Sequence, residues 1–166
     1  MSIDQSQPDS FSLPENRFFK PSHRTRPEQI VGLGIFLLIS LGFELLNAKL
    51  IFPAEKSSGS IWTIYFVALS LSIWTLWRRH SLRTLKLEIS LFSSQFLFQI
   101  AWSLSFYLLQ ETLLALVALL LLWCNHLMAA LLFWKKEKIS GQILLIPFLW
   151  IFYIMGLNMV ICISNP

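Results

Sequence analysis

Five long apolar stretches alternate with short polar ones along the chain. They run near Ile30–Phe52, Ile61–Trp77, Leu87–Leu109, Leu113–Trp134 and Ile143–Ile163, each with 17 to 23 residues. As helices rising 1.5 Å per residue they reach about 25–35 Å, which suits a hydrocarbon core of about 30 Å. A backbone in lipid must satisfy its own hydrogen bonds, so each stretch predicts a helix. The connections are short, so sequential helices are expected to lie antiparallel. The expected fold is an all-α integral membrane protein, a five-transmembrane-helix bundle over residues 30–166. Residues 1–29 are polar and hold Pro8, Pro14, Pro21 and Pro27. They lack the apolar segment of a secretory signal, and Asp4, Asp9 and Glu15 argue against an organelle transit peptide. This stretch reads as a flexible cytoplasmic tail.

Composition strengthens the membrane reading. Hydrophobic residues make up 55% of the chain and charged residues 13%, against about 25% charged in soluble domains. Mean hydropathy is +0.63. The net charge of +4 does not point to nucleic acid, because the basic residues lie between apolar runs and form no patch. Their distribution predicts orientation instead. Arg17, Lys20, Arg24 and Arg26 precede the first run, Arg78, Arg79, Arg83 and Lys86 follow the second, and Lys135, Lys136 and Lys138 follow the fourth. The other side has Lys49 and Lys56, a split of 11 against 2. The positive-inside rule places the N-terminus in the cytoplasm and the C-terminus on the opposite side. Cys124 and Cys162 each lie in an apolar run. With no disulfide or zinc spacing, they read as small buried hydrophobes.

Polar groups at membrane depth are costly, so they mark the bundle interior or a function. At 100° per residue, Gln95, Gln99, Trp102, Ser103 and Phe106 share one face of the third helix. Pro147, Trp150, Ile154, Asn158 and Ile161 share a face of the fifth, and Trp62, Phe66, Leu69 and Ile73 a face of the second. Converging in a bundle, these faces make an aromatic cavity with a few amide groups. Indole faces stack on a planar ring and amides orient its polar edge, so a flat hydrophobic ligand suits the chemistry. The candidate ligand-binding residues are Trp62, Phe66, Gln95, Gln99, Trp102, Phe106, Pro147, Trp150 and Asn158. Plain packing is the competing explanation, with Gln95 and Gln99 as interhelical glue worth about 0.6–2 kcal/mol each. Trp74, Trp77 and Trp134 sit at run ends beside basic residues and are expected to anchor at the headgroup level.

His126 lies mid-span on the fourth helix. Such a histidine can ligate haem iron, relay a proton or bond a neighbouring helix. The last is expected, since no second metal ligand is evident. Glu44 reads as a neutral acid or a partner of Lys49. No phosphate loop, paired catalytic carboxylates, metalloprotease helix or serine nucleophile elbow is present, which points away from enzyme chemistry.

The order and spacing of the motifs resemble the tryptophan-rich sensory protein and translocator protein family (TspO/MBR, once called peripheral benzodiazepine receptors), as a divergent member. The resemblance runs from about Ile61 to Asn165. It rests on Gln99-Ile100-Ala101-Trp102-Ser103 with Phe106 and Tyr107, and on Trp123 with Phe133 and Trp134. It also rests on Leu144-Leu145-Ile146-Pro147-Phe148-Leu149-Trp150, followed by Leu157-Asn158 and Asn165. Gln99 stands where the family has asparagine, and Phe148 where it has tyrosine. The first connection, Phe52–Ser60, is shorter than the family's. The resemblance implies a ligand cavity lined by Trp62, Gln99, Trp102 and Trp150. It implies a porphyrin, haem-related tetrapyrrole or similar flat ligand, and a regulatory, sensory or trafficking role. Together with apolar helix faces not needed internally, it implies a homodimer in the bilayer. The alternatives are a structural or assembly subunit without ligand, and a light-dependent porphyrin-degrading activity.

Overall fold

The computed structural model describes residues 25–51 and 59–164. The expectations for residues 1–24 of the tail, for the first connection at 52–58 and for Asn165 lie outside the described residues. The rest is helical: α1 (Arg26–Ile51), α2 (Gly59–Arg79), α3 (Lys86–Ser103), α4 (Thr112–Lys136), α5 (Lys138–Ile143) and α6 (Leu145–Ser164). A 3₁₀ turn, Leu82–Leu85, leads into α3, and a π turn, Leu104–Leu108, follows it.

Helix α2 is the axis of the bundle, packing against α1, α3, α4, α5 and α6. Its buried stripe contains Trp62, Tyr65, Phe66, Leu69, Ile73 and Leu76. These positions recur at intervals of three and four, so one face of α2 points inward along its length. α3 lies against α4, and α4 against α5 and α6. Large apolar side chains cover the outer surface, among them Leu38, Leu97, Leu113, Leu149 and Ile163. Among the described residues, three segments are long and apolar enough to cross a membrane: Arg26–Asn47, Thr112–Lys136 and Lys138–Ser164. α2 and α3 are less apolar because they carry Ser70, Ser72, Thr75, Gln95, Gln99 and Ser103. All six of these residues are buried inside the bundle.

The polar groups tie the helices together. Ser70 Oγ lies 2.7 Å from Ser40 Oγ, joining α2 to α1. Ser72 Oγ donates to the Ser140 carbonyl at 2.8 Å and Ser140 Oγ returns a bond to the Ser72 carbonyl at 2.7 Å, joining α2 to α5. Ser94 Oγ donates to Asn125 Oδ1 at 2.9 Å, joining α3 to α4. Without a hydrophobic force between helices in lipid, such bonds and close packing supply the association. Ion pairs close the basic end. Lys136 Nζ lies 2.8 Å from Glu88 Oε1, and Arg79 Nη1 lies 2.7 Å from Glu137 Oε2.

Several elements depart from the sequence expectation. The third run divides at Ser103, where the backbone widens to a π turn and Leu109 N–H bonds to the Leu104 carbonyl. Gln110 then adopts φ 57° and ends the helix. The fifth run breaks at Leu144, between α5 and α6. Pro147 has no N–H to give to the carbonyl four residues earlier, so the ladder is interrupted there. Cys124 is exposed on the outer face and Cys162 half-buried, both free thiols. Cys124 is therefore not a buried hydrophobe: its helical phase turns it outward, while Leu122 and His126 face in. Trp74 and Trp77 do more than sit at a helix end. Trp74 Nε1 donates to the Gln29 carbonyl at 2.8 Å, and Arg78 stacks over the Trp74 ring at 4.9 Å. Trp77 meets Phe36 edge-on at 6.1 Å and packs over Gly32, which has no Cβ to obstruct it. These contacts fasten the start of α1 to the end of α2.

Candidate functional site

The inward faces of α2, α3 and α6 meet at a cluster of indoles. The Trp62 ring lies 5.1 Å from that of Trp102, tilted by 41°, and 6.4 Å from that of Trp150, edge-on at 83°. Phe106 stacks on Trp102 at 5.9 Å, and Tyr107 meets both edge-on. The π turn is what brings Phe106 and Tyr107 here. Its extra residue rotates the chain just beyond Trp102, and such π turns are frequent at functional sites. Tyr153 extends the cluster past Trp150 at 5.5 Å.

Polar atoms edge the rings. Gln99 is 1% exposed and Asn158 is 3% exposed. Gln99 Oε1, Asn158 Oδ1, Trp102 Nε1 and Trp150 Nε1 are buried without a hydrogen-bond partner among the described residues. A packed interior normally pairs such groups, and each one left unpaired costs about 1–3 kcal/mol. Two indole donors and two amide acceptors together suit a molecule carrying both acceptors and donors at its rim. The rings themselves touch. A planar molecule between two stacked rings would hold them ~7 Å apart, twice the optimal carbon–carbon separation. Trp62 and Trp102 are closer than that, so a flat ligand must part them or lie along their edges.

The other candidate residues divide. Phe66 stacks on Phe96 at 5.8 Å and meets Phe43 at 5.6 Å, on the α1 side of α2. Gln95 Oε1 accepts a hydrogen bond from Tyr65 Oη at 2.9 Å, which links α3 to α2. Pro147 is buried at the start of α6. His126 bonds a neighbouring helical segment, its Nε2 lying 3.0 Å from the Leu144 carbonyl at the α5–α6 break. Glu44 Oε1 accepts from Thr63 Oγ1 at 2.6 Å, so its partner is on α2.

The sequence model of the TspO/MBR family matches residues 34–163. The chain belongs to the TspO/MBR family. Tryptophan-rich protein TspO of Chlorobaculum tepidum is 32% identical to it over 119 residues, covering 69% of this chain and 73% of that protein. With the family and the three long apolar helices, the chain is an integral multi-pass membrane protein.

Within this TspO/MBR chain, Asn47 and Tyr65 beside the cluster, and Trp123 elsewhere in the bundle, carry polar groups to which the sequence assigned no site role. Asn47 Nδ2 donates to Ser103 Oγ at 3.0 Å, bringing α1 next to Trp102. Its Oδ1 is another buried acceptor without a partner among the described residues. Tyr65 touches Trp62 at 5.6 Å. Trp123 faces Phe148 at 5.4 Å, with its indole N–H also unpaired. Tyr65 lies one turn from Trp62 on the same face of α2, a signal the helical repeat carries, whereas the Asn47–Ser103 and Trp123–Phe148 meetings depend on how helices slide past one another, which periodicity within each helix does not encode.

Proposed function

We propose that this TspO/MBR-family protein binds a flat hydrophobic ligand of the tetrapyrrole class at Trp62, Trp102 and Trp150, in a regulatory, sensory or trafficking role. Gln99 and Asn158 orient the ligand's polar edge. The observation that carries the reading is the junction of three indoles from three helices, edged by unpaired buried donors and acceptors. Porphyrins match that set in chemistry: a broad planar body, ring N–H groups and peripheral carboxyl oxygens. Protoporphyrin titrated into the protein in lipid nanodiscs should quench tryptophan fluorescence saturably. Quenching that rises linearly, as in nanodiscs without protein, would contradict the reading.

The same proposal includes five membrane crossings. It counts α2 and α3 as spans, since their polar side chains turn inward, and α5 with α6 as one. It also includes a cytoplasmic N-terminus and a homodimeric assembly. Basic residues at one end of the bundle support the orientation. A reporter fused after Pro166 should be active outside the cytoplasm and one inserted in the Arg78–Lys86 connection inside. The reverse pattern would overturn the orientation.

A further inference from the structure

Next to the tryptophans, Tyr65, Gln95 and His126 form a second buried polar group, each at most 1% exposed. The Tyr65 and His126 rings lie 5.8 Å apart, and Tyr65 Oη donates to Gln95 Oε1 at 2.9 Å. His126 Nε2 lies 3.0 Å from the Leu144 carbonyl. A carbonyl oxygen only accepts, so Nε2 carries the proton, and Nδ1 of the neutral ring is then a bare acceptor. That Nδ1 and the Gln95 Nε2 amide donor are both buried without a partner among the described residues. One helix thus offers a donor and the next an acceptor, both beside Tyr65.

A hydroxyl oxygen answers both groups, accepting from Gln95 and donating to His126. An ether or ketone oxygen answers Gln95 alone, and an ammonium answers His126 alone. We infer that Tyr65, Gln95 and His126 form a polar subsite for one hydroxyl group beside the tryptophan cluster. Trp62 joins the two regions, its ring 5.6 Å from Tyr65 and 5.1 Å from Trp102. The hydroxyl comes from the ligand's own alcohol or from a water molecule. The first source rests on the reading of the tryptophans as a binding site, and the second does not. Placed this way, the subsite would select flat ligands that carry an alcohol over their ethers.

The test reads His126 directly. The chain has three histidines, and His23→Gln with His80→Gln leaves His126 alone. The ¹⁵N resonance of its Nδ1 is recorded in nanodiscs for the protein by itself, with 1-pyrenemethanol, and with the corresponding methyl ether. Saturable tryptophan-to-pyrene energy transfer measures binding separately. A hydrogen-bonded Nδ1 in the protein alone, unchanged by either pyrene, supports the subsite with water as its source. An Nδ1 that becomes hydrogen-bonded only with the alcohol supports the ligand source, and the alcohol should then bind about fivefold tighter than the ether. A bare Nδ1 in all three samples overturns the subsite. Absence of saturable transfer from either pyrene counts instead against the tryptophan site, and a hydrogen-bonded Nδ1 in the protein alone then still supports the subsite.

Discussion

Trp62→Ala is expected to destabilise the folded chain by about 3–5 kcal/mol, the usual cost of removing a large buried aromatic side chain. Trp62 is 5% exposed and touches Tyr65, Trp102 and Trp150. Removing the indole opens a void where α2, α3 and α6 meet, and none of these rings can fill it without leaving its other contacts. Trp134→Ala is the comparison. Trp134 is 41% exposed, and its Cβ, the atom nearest to where a side chain on Gly141 would begin, is retained in alanine, so the change should stay within about 0.5 kcal/mol. Denaturant unfolding in mixed micelles reads both. Equal losses in the two variants would show that the indole cluster does not organise the bundle.

Gly141→Ala should cost about 1–3 kcal/mol, the range for overpacking. A Cβ at Gly141 would lie 2.6 Å from Trp134 Cβ, 2.7 Å from its Cα and 2.8 Å from its N. Two of these are backbone atoms of α4, so no rotamer change relieves the clash. α5 would have to move away, straining the paired bonds between Ser72 and Ser140. Gly156→Ala provides the contrast, because a Cβ there meets nothing within 4 Å. In a helix interior, alanine is favoured over glycine by about 1 kcal/mol, so Gly156→Ala should be neutral or stabilising. Similar unfolding midpoints for the two variants would contradict the close α4–α5 approach.

The inward faces were legible because the helical repeat alone determines them. Trp62, Phe66, Leu69 and Ile73 on α2, and Gln95, Gln99, Trp102 and Ser103 on α3, are all buried. The π turn at Leu104–Leu108 was not legible. No glycine or proline marks it, and the apolar run continues through it without a change of pattern. The break at Leu144 had a signal in Pro147, but an unbroken apolar run concealed it. The bonds from Tyr65 to Gln95 and from Asn47 to Ser103 connect helices. They require the vertical register between helices, and each helix read alone carries no record of that register. The aromatic character of the candidate site was therefore legible, while the mutual contact of its rings was not.

Protoporphyrin binding to Trp150→Phe and Trp134→Phe, compared with the unchanged chain in nanodiscs at equal thermal stability, shows whether a flat ligand binds where Trp62, Trp102 and Trp150 meet. Trp150→Phe keeps an aromatic face but removes the buried indole N–H that has no partner among the described residues. The expected loss is about 1 kcal/mol, or roughly fivefold in affinity. Trp134→Phe, on the outer surface, should leave affinity unchanged. Equal weakening by both variants would mean that porphyrin adsorbs to the lipid-facing surface, and the account of the site would fail.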